Sequence, residues 1–174
     1  MKFILVVVVL LAFVGCAVIN APQETGSIYG ENADVVIRFY FDITGANPRG
    51  LYADFDYFET TVHGEDWLEQ ALALMNQNTS FDIGRIWYEG ERLYADLIFD
   101  SFYGNTWQAL QGSTGAYING NNLLLNLASF PAVKEIVILM NGERTTGSDH
   151  FDLEGVFIVT DSDAPEIRER IQRK

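Results

Sequence analysis

An uninterrupted apolar run of 12 residues at positions 3–14, closed by Gly15 and the only cysteine of the chain, Cys16, limits what can follow it. A lone cysteine cannot form an internal disulfide, so the remainder must be held by a hydrophobic core. The run is too short for a spanning helix, which needs about 20 residues. Its length suits the apolar segment of an export signal, and Lys2 supplies the positive charge in front of it. Hydrophobic residues make up 48% of the chain and aromatic residues 13%. That is enough apolar surface to offset the entropy of ordering one domain.

Cys16 after a small residue, just past an export segment, resembles the bacterial lipobox, with Phe13 where that pattern prefers an aliphatic residue. The resemblance implies a signal peptide over residues 1–15 and a diacylglyceryl group on the Cys16 thiol, which becomes the mature N-terminus. Ordinary cleavage after Ala21 and an uncleaved N-terminal anchor are the alternatives. Acyl chains contribute about 0.8 kcal/mol per buried methylene, so two or more would hold the protein firmly to a membrane. Residues 17–33 have no periodicity and read as part of a tether, spanning residues 16–33. A flexible segment of this length reaches roughly 20–25 Å. The expected location is extracytoplasmic, on the outer face of the cytoplasmic membrane or in the periplasmic and outer-membrane space of a diderm cell.

Asp and Glu number 24 against 11 Lys and Arg, a net charge of −13. Such a surface repels phosphate backbones and anionic headgroups, which argues against nucleic acid as a partner. Any membrane attachment must then be covalent or hydrophobic, and the N-terminal lipid that the lipobox resemblance implies is the expected one.

Residues 34–160 read as one domain and residues 161–174 as a tail. Ile37, Phe39, Phe41 and Ile43 alternate with Arg38, Tyr40 and Asp42, so residues 36–43 form a strand. The Asn47-Pro48-Arg49-Gly50 segment signals a turn, and residues 51–62 are extended. Leu68, Ala71, Leu72 and Met75 form a helical stripe over residues 64–76. Residues 83–88 and 93–100 form a hairpin about Glu89-Gly90-Glu91-Arg92, with Ile83, Leu93, Ala95, Leu97 and Phe99 apolar. A second helix is expected over residues 114–129, carrying Tyr117, Leu123, Leu124 and Leu127. Its poor helix formers, Gly115, Asn119, Gly120, Asn121 and Asn122, leave a turn at Asn119-Gly120 as the alternative, with only residues 121–129 helical. The apolar run at 135–140 predicts a central strand covered on both faces, and residues 156–160 a short last strand. Pro165 and the basic end of residues 163–174 suggest a helical tail. The order β-β-α-β-β-α-β gives an α+β fold: a mixed sheet packed with two helices.

Several segments together resemble the Germane (GerMN) domain of sporulation and spore-germination proteins and of many bacterial lipoproteins. They are residues 84–97, with Gly90 and the Asp96-Leu97 pair; Leu127 with Phe130-Pro131-Ala132-Val133, where Ala132 replaces the usual glycine; residues 136–142, ending in Gly142; and Gly147, His150, Asp152 and Leu153. The glycine- and asparagine-rich stretch at 112–122 departs from the family, which has an alanine- and leucine-rich helix there. The resemblance implies a core like that of ring-building motifs and a non-enzymatic module for protein binding or assembly in the cell envelope. Gly90, Asp96, Pro131, Gly142, Gly147, His150 and Asp152 would be its structural motif residues. The partner would be an envelope protein or further copies of the chain. Sporulation or germination is a family association.

Candidate chemistry is sparse. The two histidines, His63 and His150, leave little for a triad or a metal centre. His63 reads as a cap or surface residue. His150, between Asp149 and Asp152, reads as a loop residue rather than a metal ligand or oriented base. Asp54-Phe55-Asp56 and Asp161-Ser162-Asp163 lack the glycine and full ligand set of a calcium loop. The glycines of 142–149 come without a phosphate-binding lysine. No metal, cofactor or catalytic residue is expected. Aromatic residues cluster at 52–58 and 99–107, and Phe102, Tyr103 and Trp107 are the expected binding face. The leading expectation is a recognition or assembly module. A cell-wall carbohydrate or peptidoglycan binder is the alternative, and a hydrolase using a carboxylate pair comes third.

Overall fold

The computed structural model describes residues 34–43, 55–102, 104–144, 150–160 and 167–171. The fold is α+β, with two sheets and three helices among these residues. Strands β1 (Asp34–Asp42) and β2 (Phe55–His63) pair antiparallel and form a sheet of their own. Val35, Ile37 and Phe39 of β1 are buried and Val36 is exposed, as the period-two pattern requires. The expected turn at 47–50 lies outside the described residues.

Helix α1 (Trp67–Asn78) begins three residues later than expected. Its stripe is the expected one: Ala71 and Met75 are buried and Leu68 and Leu72 pack against the core, joined by Trp67. Strands β3 (Ile83–Glu89) and β4 (Arg92–Leu97) form the antiparallel hairpin. Phe99 lies past the end of β4 rather than on its apolar face.

Strand β5 (Glu135–Met140) runs parallel to β4. Parallel neighbours need a crossover, usually helical, and here it carries α2 (Asn105–Ala109) and α3 (Ser113–Ala128). Helix α2 was not expected from sequence. Helix α3 is continuous through Asn119 and Gly120, so no turn interrupts it, and Tyr117 is exposed rather than packed in the core. Strand β5 is covered on both faces, as expected. Ile136 and Ile138 enter the main core, while Val137 and Leu139 pack on the other face with Tyr94, Trp87 and Val156.

On the edge of β5 away from β4, the short β6 (Glu143–Arg144) pairs with Leu139 and Met140, and β7 (Val156–Val159) pairs antiparallel with Glu135 and Ile136. Strand β8 (Ile167–Ile171) then pairs with β7. The main sheet has the order β3-β4-β5-β7-β8, with β6 attached to β5. The expected helical tail is thus corrected. Ile167 and Ile171 stand four apart, a spacing shared by the helical and the strand period, and pairing with β7 selects the strand. Among the described residues, no helix is long and apolar enough to cross a membrane.

The asparagines of α3 explain its unusual composition. Tyr40 N–H donates to Asn126 Oδ1 at 2.8 Å, and the Tyr40 carbonyl accepts from Asn122 Nδ2 at 2.7 Å and Asn126 Nδ2 at 3.1 Å. Ser129 Oγ donates to the Arg38 carbonyl at 2.6 Å. Side chains of α3 and its C-cap therefore satisfy the outer edge of β1 at Arg38 and Tyr40, which no third strand covers among the described residues. Asn119 Nδ2 donates to the Ala109 carbonyl at 3.0 Å and so ties α3 to α2. Gly120 lets the helix backbone approach Phe151: a methyl group there would lie 2.3 Å from ring carbons.

Candidate functional site

The chain leaves the main sheet after β4 along a tightly held path. Ile98 N–H donates to the Asp82 carbonyl at 2.7 Å. Phe99 N–H donates to Asn141 Oδ1 at 2.9 Å, and Asn141 Nδ2 returns a bond to the Phe99 carbonyl at 2.7 Å. The start of α2 is pinned to the same region. Thr106 Oγ1, on a buried residue, accepts from Asp82 N–H at 3.2 Å, and Asn105 Nδ2 donates to Asp82 Oδ1 at 2.9 Å.

These anchors bring Phe99, Phe102 and Trp107 together. Their ring centroids lie 5.9, 6.0 and 5.1 Å apart, each pair edge-on at 90°, 82° and 90°. Phe102 is 64% exposed and Ile98 beside the strand end is 45% exposed. Trp107 is half-buried. An exposed ring braced by two others costs little side-chain entropy when a partner covers it, which suits an anchor for recognition. Tyr103 lies outside the described residues. Sequence reasoning missed Ile98, Thr106 and Asn141. The signal available was Asn141-Gly142 directly after an apolar strand, which marks a turn able to catch a neighbouring backbone.

The motif residues hold turns and strand ends together. Gly90 sits in the β3–β4 turn with φ 65°. Asp96 Oδ1 accepts from Gly142 N–H at 2.8 Å and joins the end of β4 to the turn after β5. The Pro131 carbonyl accepts from Tyr88 Oη–H at 2.8 Å. Ala132, where the Germane pattern has glycine, has φ 58°, a left-handed conformation that glycine adopts without cost. Asp152 Oδ1 accepts from Glu154 N–H at 2.9 Å, and His150 is exposed. Gly147 and Cys16 lie outside the described residues. His63 is exposed next to α1, its Nδ1 2.7 Å from Asp34 Oδ1.

Two further clusters bear on the alternatives. An open depression of about 280 Å³ is lined by Glu89, Glu91, Arg92, Lys134 and Glu135. Two of its three carboxylates are held in ion pairs, Glu135 with Arg92 and Glu91 with Lys134, both at 2.5 Å, and Glu89 accepts from Trp87 Nε1–H at 3.5 Å. Hydrogen bonds to the Tyr94 hydroxyl, then to Glu135, hold the Arg92 guanidinium above its ordinary pKa and keep it charged. On the same sheet face Trp87 stacks on Tyr94 at 5.0 Å and 7°, and the Arg85 guanidinium lies 4.1 Å over its ring. That π-surface is already occupied by the protein, so Trp87 is a poor platform for a sugar ring. Among the described residues no group of three or more His, Cys, Asp or Glu is placed to hold a metal ion.

No family model and no curated protein matches the chain. Among solved structures it is similar to a crystal structure of a candidate lipoprotein from Clostridium perfringens, with 16% identity and a TM-score of 0.35, over 76% of this chain and 93% of that one.

Proposed function

We propose that this chain is an exported lipoprotein, anchored through Cys16, whose Germane-like domain recognises or assembles with another envelope protein and carries out no reaction of its own. The observation that carries the reading is the trio Phe99, Phe102 and Trp107, with Phe102 presented to solvent on a hydrogen-bonded base. The left-handed Ala132 supports the Germane resemblance, because the family's glycine falls where the backbone favours one. With two of the depression's three carboxylates held in ion pairs, no free carboxylate pair is left there, which favours recognition over hydrolysis. Retaining hydrolysis needs two carboxyls about 5–5.5 Å apart and free to act on a bound sugar.

Anchoring and recognition are tested separately. Palmitate labelling in cells should mark the wild type and not Cys16→Ser; equal labelling of both ends the anchoring claim. A photo-crosslinking phenylalanine analogue at position 102 should capture a discrete product in whole cells, lost when Trp107→Ala removes the supporting ring. Crosslinks at an exposed control position such as Val36, with none at 102, would move the recognition surface elsewhere.

A further inference from the structure

The β1–β2 sheet has two outer edges, and they differ. In an antiparallel pair, opposed residues alternate between pairs that exchange hydrogen bonds and pairs whose N–H and C=O groups point outward. Tyr40 lies opposite Tyr57 and Arg38 opposite Glu59. Since the Tyr40 N–H and C=O and the Arg38 C=O are bonded to α3 and its C-cap, these are outward-pointing pairs. The backbone groups of Tyr57, Glu59 and Thr61 therefore point away from β1, along the free edge of β2. At the two ends that edge is closed: Tyr57 N–H donates to Asp56 Oδ1 at 2.8 Å, and the His63 N–H and C=O are both bonded to the Gln70 side chain. Between them, the N–H and C=O of Glu59 and Thr61 have no partner among the described residues. Tyr57 and Phe58 beside them are exposed.

We propose that this edge receives an extended, cationic segment of a partner protein, which adds to β2 as a third strand. An open edge supplies main-chain bonds to any strand, and flanking side chains choose which one is admitted. Across residues 34–42 and 55–69 there are seven carboxylates (Asp34, Asp42, Asp56, Glu59, Glu65, Asp66 and Glu69) against one guanidinium, Arg38. Those charges oppose a second copy of this acidic edge and favour a basic strand. The two faces of β2 sharpen the match. Glu59, half-exposed and paired with Arg38 at 3.0 Å, falls on the face of Tyr57 and Thr61, while Phe58 and Thr60 share the other, so the basic residues of an alternating strand compete with Arg38 for that carboxylate on one side and its apolar residues meet an aromatic ring on the other. This surface is separate from the Phe102 patch and stands or falls independently of it.

The test uses the full-length protein in a neutral detergent and a capped peptide of alternating lysine and valine. Amide-resolved NMR should show shifts and slowed hydrogen exchange at Glu59 and Thr61 when the peptide is added. The same peptide N-methylated throughout keeps its charge but loses its donors, and should bind more weakly by at least about tenfold, the equivalent of one or two net hydrogen bonds. Thr61→Pro removes an N–H that takes no part in the β1–β2 ladder and should weaken binding similarly while the melting temperature stays close to wild type. Should Thr61→Pro not fold, the N-methylated peptide on the wild type decides the matter. Equal binding of both peptides would overturn strand addition in favour of charge alone. A doubled mass with Glu59 and Thr61 protected before any peptide is added would overturn the cationic partner in favour of self-pairing. Loss of binding in Phe102→Ala with the Glu59 and Thr61 amides unmoved would place the peptide on the aromatic patch, sinking this proposal and leaving the other intact.

Discussion

Helices α1 and α3 both pack against β1, yet different forces hold them. Helix α1 meets the core through a continuous apolar stripe, in which Trp67, Ala71 and Met75 are buried. Helix α3 also buries Leu123, Leu124 and Leu127, but on the side toward β1 it presents Asn122 and Asn126, buried and bonded to backbone. Apolar burial is non-directional and tolerates exchange among side chains of similar volume. A side-chain amide that closes a strand edge is directional, and removing it leaves buried groups without partners. The same layer of the fold is thus plastic at one helix and exacting at the other.

The largest effects should expose that difference. Met75→Ala removes a fully buried side chain and should cost about 3 kcal/mol in urea unfolding, whereas Met75→Leu should cost less than about 1.5 kcal/mol. At α3 the apolar rescue should fail. Asn126→Ala strips the acceptor from Tyr40 N–H and should cost about 2 kcal/mol, and Asn126→Leu should do no better, because volume does not replace the lost bonds. If Asn126→Leu proved as stable as wild type, the edge clamp would be ornamental and the two helices would be alike.

A smaller effect comes from the closest approach of α3. Alanine at Gly120 gains about 1 kcal/mol of helix propensity but drives a methyl group into Phe151, an overpacking cost of about 1–3 kcal/mol. Gly120→Ala should therefore destabilise by about 1 kcal/mol in the wild type. In a Phe151→Ala background the sign should invert, with Gly120→Ala stabilising. A loss of equal size in both backgrounds would show that the ring is not what requires glycine.

The contrast between the helices also explains what the sequence reveals. The α1 stripe, the β3–β4 hairpin and the run Glu135–Met140 announce themselves because apolar periodicity reports burial directly. The asparagines of α3 carry the opposite signal. They score as poor helix formers, and the value of Asn122 and Asn126 lies in bonds to Tyr40, more than 80 positions away, which no local pattern records. Helix α2 spans only five residues, too few for a period, and β8 takes its conformation from its pairing with β7. At the candidate site the cluster around Phe102 is visible as a local density of aromatics. Its exposure is not visible, since that depends on where Asn141 and Asp82 hold the chain.

The smallest expected change is a gain, at the exit from α3. Ala132 holds φ 58°, which for a residue with a Cβ costs about 1 kcal/mol or somewhat more relative to glycine. The conformation is imposed from both sides. Pro131 before it gives its carbonyl to the Tyr88 hydroxyl, and Lys134 after it donates its N–H to the Glu91 carbonyl at 2.9 Å, so the backbone has no room to relax to negative φ. The side chain is exposed, so no packing is lost when the methyl is removed. Ala132→Gly should therefore raise stability, offset in part by the greater freedom of glycine in the unfolded chain, for a net gain of up to about 1 kcal/mol, read as a higher urea midpoint at unchanged m-value. A loss of stability would mean that Ala132 is not strained, and the glycine of the Germane pattern would then owe nothing to this turn.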